Sequence, residues 1–200
     1  MKKLLLTAFE PFGGENVNSS LLTLTALPDA IGDFRLIKMV VPVIFGFAGK
    51  SVTDAALKFQ PDVILCLGQA DGRRDVTPEK IGINLRNARI PDNAGLEPVN
   101  EVIVTDGPDG IFTGLPVSDM AEAILSAGIP ASVSYSAGTF VCNDLLYTLL
   151  ERFRGNGIQV GFIHLPLTPE QAASRPESQP PSLTVEQMAA AVEAAIKSIG

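Results

Sequence analysis

Short runs of consecutive apolar residues, separated by segments with helical spacing, are the feature that most limits how this chain can fold. The clearest run is VILCL at residues 63–67, and such continuous apolar character is typical of a parallel strand covered on both faces. Similar runs occupy residues 3–9, 34–43 and 158–164. The alternation predicts a single-domain three-layer α/β/α sandwich over residues 1–200, with a mostly parallel, twisted central sheet.

Five helices and three weaker strands complete the expected architecture. Helices are predicted over residues 18–27, 44–59, 118–127, 141–153 and 184–199, with N-caps at 18–20 and at Ser118, and a capping box at 184–187. The weaker strands are predicted over residues 80–85, near 102 and over 131–135. Ligands of such sheets bind beyond the carboxyl ends of the strands, so the loops at those ends are expected to hold the functional residues.

Charge and cysteine content exclude several kinds of function. The chain has 15 Lys and Arg against 22 Asp and Glu, which disfavours a nucleic-acid partner because phosphate binding needs clustered basic residues. Two cysteines and one histidine are too few for a disulfide framework or a structural zinc site. No run reaches a membrane span of about 18 apolar residues, and no signal peptide is evident. We therefore expect a cytoplasmic protein that does not bind a membrane.

A single histidine, His164, narrows the acid–base chemistry that is available to the chain. It ends the apolar run GFIH at 161–164, and histidine is the side chain that titrates near neutral pH. Cys142 stands at the start of a predicted helix, where free amide groups lower a thiol pKa and can hold an oxyanion. A cysteine nucleophile with a histidine base is the leading interpretation. Simple core packing of both residues is the alternative.

The carboxylate that a catalytic histidine needs for its orientation is left open by the pattern. The candidates near strand ends and near the cysteine are Glu10, Asp71, Asp75, Glu79, Asp92 and Asp144. Phe9 and Phe12 flank a loop and are interpreted either as a flat apolar pocket wall or as ordinary core residues.

Several sequence blocks, in order along most of the chain, resemble pyroglutamyl peptidase type I. These blocks are TAFEPFGG at 7–14, GQADGR at 68–73, EKIGIN at 79–84, ARIPDN at 88–93, GTFVCN at 138–143 and GFIHLP at 161–166. The resemblance implies a cysteine peptidase that removes an N-terminal pyroglutamyl residue from peptides and needs neither a metal nor a cofactor. It also implies a homo-oligomer, a dimer or a tetramer. The apolar stretch 40–47 is interpreted either as a surface for this association or as ordinary core packing.

The same resemblance assigns roles to particular residues. The family's catalytic triad falls on Cys142 as nucleophile, His164 as general base and acid, and Glu79 as the carboxylate that orients the histidine. Its substrate pocket and the surroundings of the reaction centre fall on Phe9, Phe12, Gln69, Arg89, Phe140 and Val141. Pyroglutamate has no free amine and no charge, so aromatic faces and a few hydrogen bonds are enough to hold it.

Three departures from the family pattern lie in or near the expected site. Family members commonly carry Pro where Ser19 stands, Gly where Asp71 stands and His where Asp144 stands. Asp71 is expected to alter access to the pocket. Asp144 is expected to raise the pKa of the nearby thiol because a like charge disfavours the thiolate.

Other functions are consistent with parts of the pattern. A glutamine-amidotransferase-like hydrolase also sets cysteine and histidine on an α/β sheet, but the bulky Phe140 and Val141 disfavour its tight strand–turn–helix elbow. A non-catalytic small-molecule binding protein would leave Cys142 inert. A nucleoside-phosphorylase-like activity rests on fold analogy alone, without an evident phosphate-binding loop.

Overall fold

A six-stranded, mostly parallel sheet runs through the centre of the protein in the computed structural model, which describes residues 1–200. The strands are β1 Lys2–Phe9, β2 Ala30–Ile31, β3 Phe34–Val41, β4 Val63–Gln69, β5 Thr77–Pro78, β6 Ile81–Ile83, β7 Gly110–Phe112 and β8 Gln159–Leu165. The sheet order is β2-β3-β1-β4-β8-β5, in which the four inner strands are parallel and the short edge strands are antiparallel to their neighbours. β6 and β7 form a separate antiparallel pair.

Helices cover both faces of this sheet. They are α1 Ser19–Ala26, α2 Phe47–Phe59, α3 Val117–Ser126, α4 Val141–Arg152, α5 Pro169–Ala173 and α6 Val185–Lys197. α1, α3 and α6 pack on one face, and α2 and α4 pack on the other. The predicted three-layer α/β/α architecture is therefore confirmed. No helix combines the length and the apolar character that crossing a bilayer requires.

Two hydrophobic cores follow from the alternation of side chains along each strand. In β1, Leu4 and Leu6 join the core beneath α1, α3 and α6, whereas Leu5 and Phe9 join the core beneath α2 and α4. Every residue of β4 is buried. Because both faces of this central strand are covered, apolar residues occupy consecutive positions rather than alternate ones.

The strand predicted over residues 131–135 is wrong. Ala131 and Ser134 form only isolated parallel bridges with residues beside β5. Pro78, the last residue of β5, has no N–H to donate, so a continuous ladder cannot form along this edge. The segment instead runs irregularly toward the start of α4.

Four other predicted features also differ from the structure. The strand expected near residue 102 is absent, and the one expected over 80–85 is reduced to β6 in the separate pair. α2 begins at Phe47, later than predicted, because Gly46 has φ of +70° and interrupts the helical backbone. Ser118 lies inside α3 instead of capping it.

Candidate active site

His164 lies one residue before the end of β8, at the carboxyl edge of the parallel sheet. Side chains two residues apart share a face of a strand, and Phe162 packs in the core beneath α2 and α4. The imidazole therefore faces the side of the sheet that α4 covers. It is 3% exposed, and its ring centroid is 4.6 Å from that of Phe162.

Gly68 makes room for this ring packing from the neighbouring strand β4, where it stands opposite His164. A Cβ at residue 68 would lie 2.7 Å from Phe162 Cζ and 3.1 Å from His164 Cδ2. Both distances are shorter than normal van der Waals contacts, so a larger residue here would displace the rings. The glycine thus helps to position the imidazole.

Cys142 is the second residue of α4, at the end where the helix leaves amide groups without partners. The N-cap residue Phe140 is extended and makes no side-chain cap bond. The amide groups of 141–143 consequently have no acceptor within the protein. Gly138, at φ +78°, turns the chain shortly before the helix begins. No strand leads directly into α4, so the elbow of amidotransferase-like hydrolases is missing.

Glu79 joins His164 in a buried network of charged groups. Glu79 Oε1 lies 2.7 Å from His164 Nδ1 and accepts a hydrogen bond from Arg73 Nη1 at 2.6 Å. Among the carboxylates that the sequence pattern left open, Glu79 is the one that contacts the histidine. Because this contact occupies Nδ1, Nε2 is the ring nitrogen that is left for other chemistry.

Arg73 ties the loop after β4 to the rest of the site. Besides Glu79, it donates to the Thr77 hydroxyl and, through Nη2, to the Ser136 carbonyl at 2.8 Å. One guanidinium group thereby connects the buried carboxylate with the segment that precedes α4.

The pKa values of Glu79 and His164 are both lowered. Burial raises the pKa of Glu79, but the hydrogen bond and charge of His164 outweigh it, with help from Ser134 and Arg73, so the pKa falls below its ordinary 4.5. Burial lowers the pKa of His164 below its ordinary 6.5, and the pairing with Glu79 offsets this only in part. Near neutral pH the carboxylate is therefore charged and the imidazole is neutral, able to accept a proton at Nε2.

The thiol of Cys142 is protonated in this arrangement. Burial, and then the charge of Glu79, raise its pKa to about 12, while Arg73 and the Cys142 amide lower it by less. The prediction that the helix start would lower this pKa is wrong, because removal of the thiolate from water outweighs the amide dipoles. The His164 ring bonds to Glu79, and no hydrogen bond joins it to the sulfur.

A cavity of about 650 Å³ opens at this edge of the sheet, and both Cys142 and His164 line it. Four of the predicted pocket residues line the same cavity, namely Phe12, Gln69, Arg89 and Phe140. Phe9 and Val141 lie behind its wall, buried in the core beneath α2 and α4. No group of three or more His, Cys, Asp or Glu side chains is arranged to hold a metal ion.

Aromatic rings and the Gln69 amide form one part of the wall of this cavity. The Phe140 ring lies 6.0 Å from that of Phe12 and 5.2 Å from that of Phe45, the latter edge-on, and such clusters present a large apolar surface. Gln69 is 9% exposed and contributes a polar group. The site can therefore hold a flat, uncharged ring that carries a few hydrogen-bonding atoms.

Arg175 joins two acidic residues at the cavity wall. Its Nη1 lies 2.5 Å from Asp71 Oδ2, and its Nη2 pairs with Glu15. All three side chains line the cavity. Asp71 thus holds the segment after α5 against the loop that follows β4.

Asp144 does not have the effect that the sequence led us to expect. Its Oδ1 accepts from Arg86 Nε at 2.5 Å, and its Oδ2 accepts from the Gly46 amide at 2.7 Å. It is not among the groups that shift the pKa of Cys142. Its charge is balanced locally by the arginine and the amide, and its role here is structural.

Arg73, Gln171 and Arg175 belong to the site, although the sequence pattern did not single them out. Arg175 begins the stretch 175–182, where three prolines predict only an exposed segment, and Gln171 lies shortly before it, where no element was predicted. One available signal was the sequence TPEQ at 168–171, which matches a capping box with proline at the first helical position.

Comparison with known proteins places this site in a family. A family model described as pyroglutamyl peptidase matches residues 2–200. The chain belongs to the pyroglutamyl peptidase family. Pyrrolidone-carboxylate peptidases from Staphylococcus haemolyticus and Levilactobacillus brevis are 46% and 44% identical to it, over 98% of this chain and 93% and 97% of theirs. The crystal structure of Bacillus amyloliquefaciens pyroglutamyl peptidase I matches with a TM-score of 0.94 at 44% identity, over 100% of this chain and 97% of that one.

Membership in the pyroglutamyl peptidase family confirms the reaction class that the sequence blocks predict, a cysteine peptidase that acts on N-terminal pyroglutamate. It also agrees with the α/β architecture, since the matching structure covers the entire chain. The alternatives of an amidotransferase-like hydrolase and of a non-catalytic binding protein lose their support.

Proposed function

We propose that the chain hydrolyses the peptide bond after an N-terminal pyroglutamyl residue, with Cys142 as nucleophile, His164 as general base and acid, and Glu79 as the group that orients the histidine. The observation that carries the proposal is the 2.7 Å contact between Glu79 Oε1 and His164 Nδ1, at a cavity that Cys142 also lines. Family membership supports the substrate class.

The first half of the reaction forms an acyl-enzyme. Because the thiol pKa is raised and the imidazole pKa is lowered, the resting pair is neutral. The thiol proton moves to His164 Nε2 as Sγ bonds to the pyroglutamyl carbonyl carbon and the carbonyl electron pair moves onto oxygen. The unpartnered amides of 141–143 are the donors available to that oxyanion.

The second half releases both products. When the oxyanion collapses, the C–N bond breaks and the amine leaves with the proton from His164. Water then gives a proton to His164 and attacks the thioester carbon. The C–S bond breaks, the proton returns to sulfur, and free pyroglutamate leaves. Glu79 keeps the ring oriented and stabilises the imidazolium that forms in each half.

Selectivity for pyroglutamate follows from the character of the cavity. The rings of Phe12 and Phe140 offer an apolar surface to the lactam ring, and Gln69 offers a hydrogen-bonding group. The carboxylates that line the cavity, Glu15 and Asp71, are both paired with Arg175. An ordinary N-terminal ammonium group would therefore lose its hydration there without a free carboxylate to receive it. A neutral lactam loses less on entering.

Release of a fluorogenic amine from its pyroglutamyl derivative tests this function. We expect turnover of that compound and none of the prolyl and glutamyl analogues. Turnover should disappear in Cys142→Ala and persist in Cys66→Ala, because Cys66 is fully buried in β4 and does not line the cavity. Comparable turnover of the prolyl compound, or activity that survives in Cys142→Ala, would contradict the proposal.

We also propose that copies of this chain associate into a dimer or tetramer. In the stretch 40–47, Val41, Val43 and Phe45 are buried in the core, whereas Val40 and Phe47 are 50% and 55% exposed. Exposed large apolar side chains of this kind support an interface. Sedimentation of the wild type and of Phe47→Glu tests this, and a wild type that sediments as a monomer would contradict it. A cytoplasmic location stays a prediction.

A further inference from the structure

Two helices of this protein begin with the same capping box, and only one of the boxes contacts a residue that lines the cavity. In α5, Thr168 accepts from the Gln171 amide and the Gln171 side chain accepts from the Thr168 amide. In α6, Thr184 and Gln187 form the same pair of bonds. The α6 glutamine is exposed, whereas Gln171 is 3% exposed and has a second set of contacts.

The second contact of Gln171 fixes the amide group of Gln69. Gln171 Nε2 donates to Gln69 Oε1 at 2.8 Å, and the Ser19 amide donates to the same oxygen at 2.8 Å. Because both groups donate hydrogen bonds, the Gln69 atom that they contact must be the amide oxygen, and the other terminal atom must be the nitrogen. The hydrogen bonds of the Gln69 side chain are both made by Oε1 and none by Nε2, and Gln69 lines the cavity.

We propose that Gln171 is a positioning residue that makes the cavity selective for a lactam. By holding Gln69 Oε1, it keeps Gln69 Nε2 available as a donor to the ring carbonyl of the bound pyroglutamyl group. The inference rests on the proposed function for its substrate and adds a residue that acts through Gln69.

The chemistry of the ring explains the selectivity. Pyroglutamate carries a carbonyl oxygen on its ring, where proline has a methylene group that accepts no hydrogen bond. A donor fixed toward that position is satisfied by the lactam and left unpaired by proline. If the Gln69 amide flipped, so that Oε1 and Nε2 exchanged places, Oε1 would face the lactam oxygen and repel it.

Substitutions at the two matched glutamines separate this role from helix capping. Gln171→Glu keeps the capping box, because glutamate serves there as well as glutamine. Its carboxylate cannot donate to Gln69 Oε1 and instead attracts the Gln69 Nε2 group. Gln171→Met removes the donor without adding charge. Gln187→Glu and Gln187→Met make the same changes in α6, away from the cavity.

Calorimetric binding of 2-pyrrolidone, which is the lactam ring alone, reports on the interaction without requiring turnover. We expect its Kd to rise about tenfold in Gln171→Met, the loss of roughly one hydrogen bond, and by more in Gln171→Glu. The Gln187 variants should bind like the wild type. For the fluorogenic pyroglutamyl substrate, KM should rise in parallel while kcat changes little, because the lactam contact is equal in ground and transition states.

The outcomes distinguish this inference from the proposed function. Unchanged 2-pyrrolidone binding in both Gln171 variants, or equal losses in the Gln187 variants, overturns the inference, as does a fall in kcat with KM unchanged. A wild type that fails to bind 2-pyrrolidone also overturns it. A wild type whose lactam binding depends on Gln171 but which turns over no pyroglutamyl substrate supports the inference and defeats the proposed function.

Discussion

Glu79 and Asp144 are both completely buried carboxylates held by an arginine, yet they are used in different ways. Both oxygens of Asp144 are engaged, since one accepts from Arg86 and the other from the Gly46 amide. These contacts tie the start of α4 to the start of α2. A buried carboxylate whose two oxygens both hold other parts of the chain stabilises the structure.

Glu79 is held less completely. Its Oε1 is shared between Arg73 and His164, and its Oε2 has no hydrogen-bond partner, although the Ser134 hydroxyl is near enough to help lower its pKa. An incompletely satisfied buried carboxylate costs stability. Burial and pairing with arginine therefore do not identify the candidate catalytic carboxylate, because both residues share them. Its histidine partner and its oxygen without a hydrogen bond do.

Among the substitutions that test the difference between these two carboxylates, Glu79→Gln is expected to have the largest effect, which is on activity. Replacing the carboxylate removes the charge that stabilises the imidazolium, so kcat/KM should fall by a factor on the order of 10³ to 10⁴ while residual turnover persists. Steady-state kinetics with the pyroglutamyl substrate measures this. A variant with wild-type kcat/KM would remove Glu79 from the mechanism.

Asp144→Asn, the matched change in the other carboxylate, should act on stability instead. The amide cannot accept from both Arg86 and the Gly46 amide, so we expect the free energy of unfolding to fall by about 1–3 kcal/mol, toward the lower value because Arg86 is partly exposed. Activity per folded molecule should stay close to wild type. Urea denaturation together with active-site titration checks both, and a loss of activity as large as that of Glu79→Gln would break the comparison.

The two arginines should also differ, in the pH dependence of the reaction. The charge of Arg73 lowers the pKa of His164, so Arg73→Met should raise that pKa and move the acid limb of kcat/KM to higher pH. Arg86→Met should leave the limb in place, because Arg86 is not among the groups that shift the pKa of His164. Coincident limbs for wild type and Arg73→Met would contradict this expectation.

The smallest effect is expected in the pH dependence of stability. The lowered pKa values of His164 and Glu79 give stability that is complete above pH 6.5 and is lost as pH falls through the lowered pKa of His164 and then that of Glu79. At the other end, the raised pKa values of Cys66 and Cys142 give stability that is present below pH 9.0 and lost as pH rises toward about 12.

Denaturation midpoints across pH should therefore fall on both sides of a plateau. Glu79→Gln should change the acid side in two ways. It removes the loss of stability at the lowered pKa of Glu79, and it deepens the loss below pH 6.5, because without Glu79 the pKa of the buried His164 falls further. Identical acid limbs for Glu79→Gln and the wild type would show that the buried pair does not contribute to stability.

Much of the fold can be predicted from the sequence because the signals for strands and helices are local. The apolar run around Cys66 predicts a central parallel strand, and the spacing of residues 184–199 predicts α6. The strand predicted at 131–135 failed because its neighbour contains Pro78, a fact about pairing that the segment itself does not contain. The short elements β2, β5, β7 and α5 have too few residues for a periodic pattern.

The sequence by itself determined the fold class, the nucleophile and histidine candidates, and, through its ordered blocks, the family. The residue pattern alone could not choose Glu79 from the acidic residues near the strand ends, although the family resemblance pointed to it. Nor could the sequence show that Asp144 is neutralised and that Gln171 reaches Gln69. Those facts depend on contacts between residues 58 to 102 positions apart. Such contacts, and the burial that raises the thiol pKa, are fixed only when the strands and helices pack, because hydrogen bonding and desolvation depend on distance in space and not along the chain.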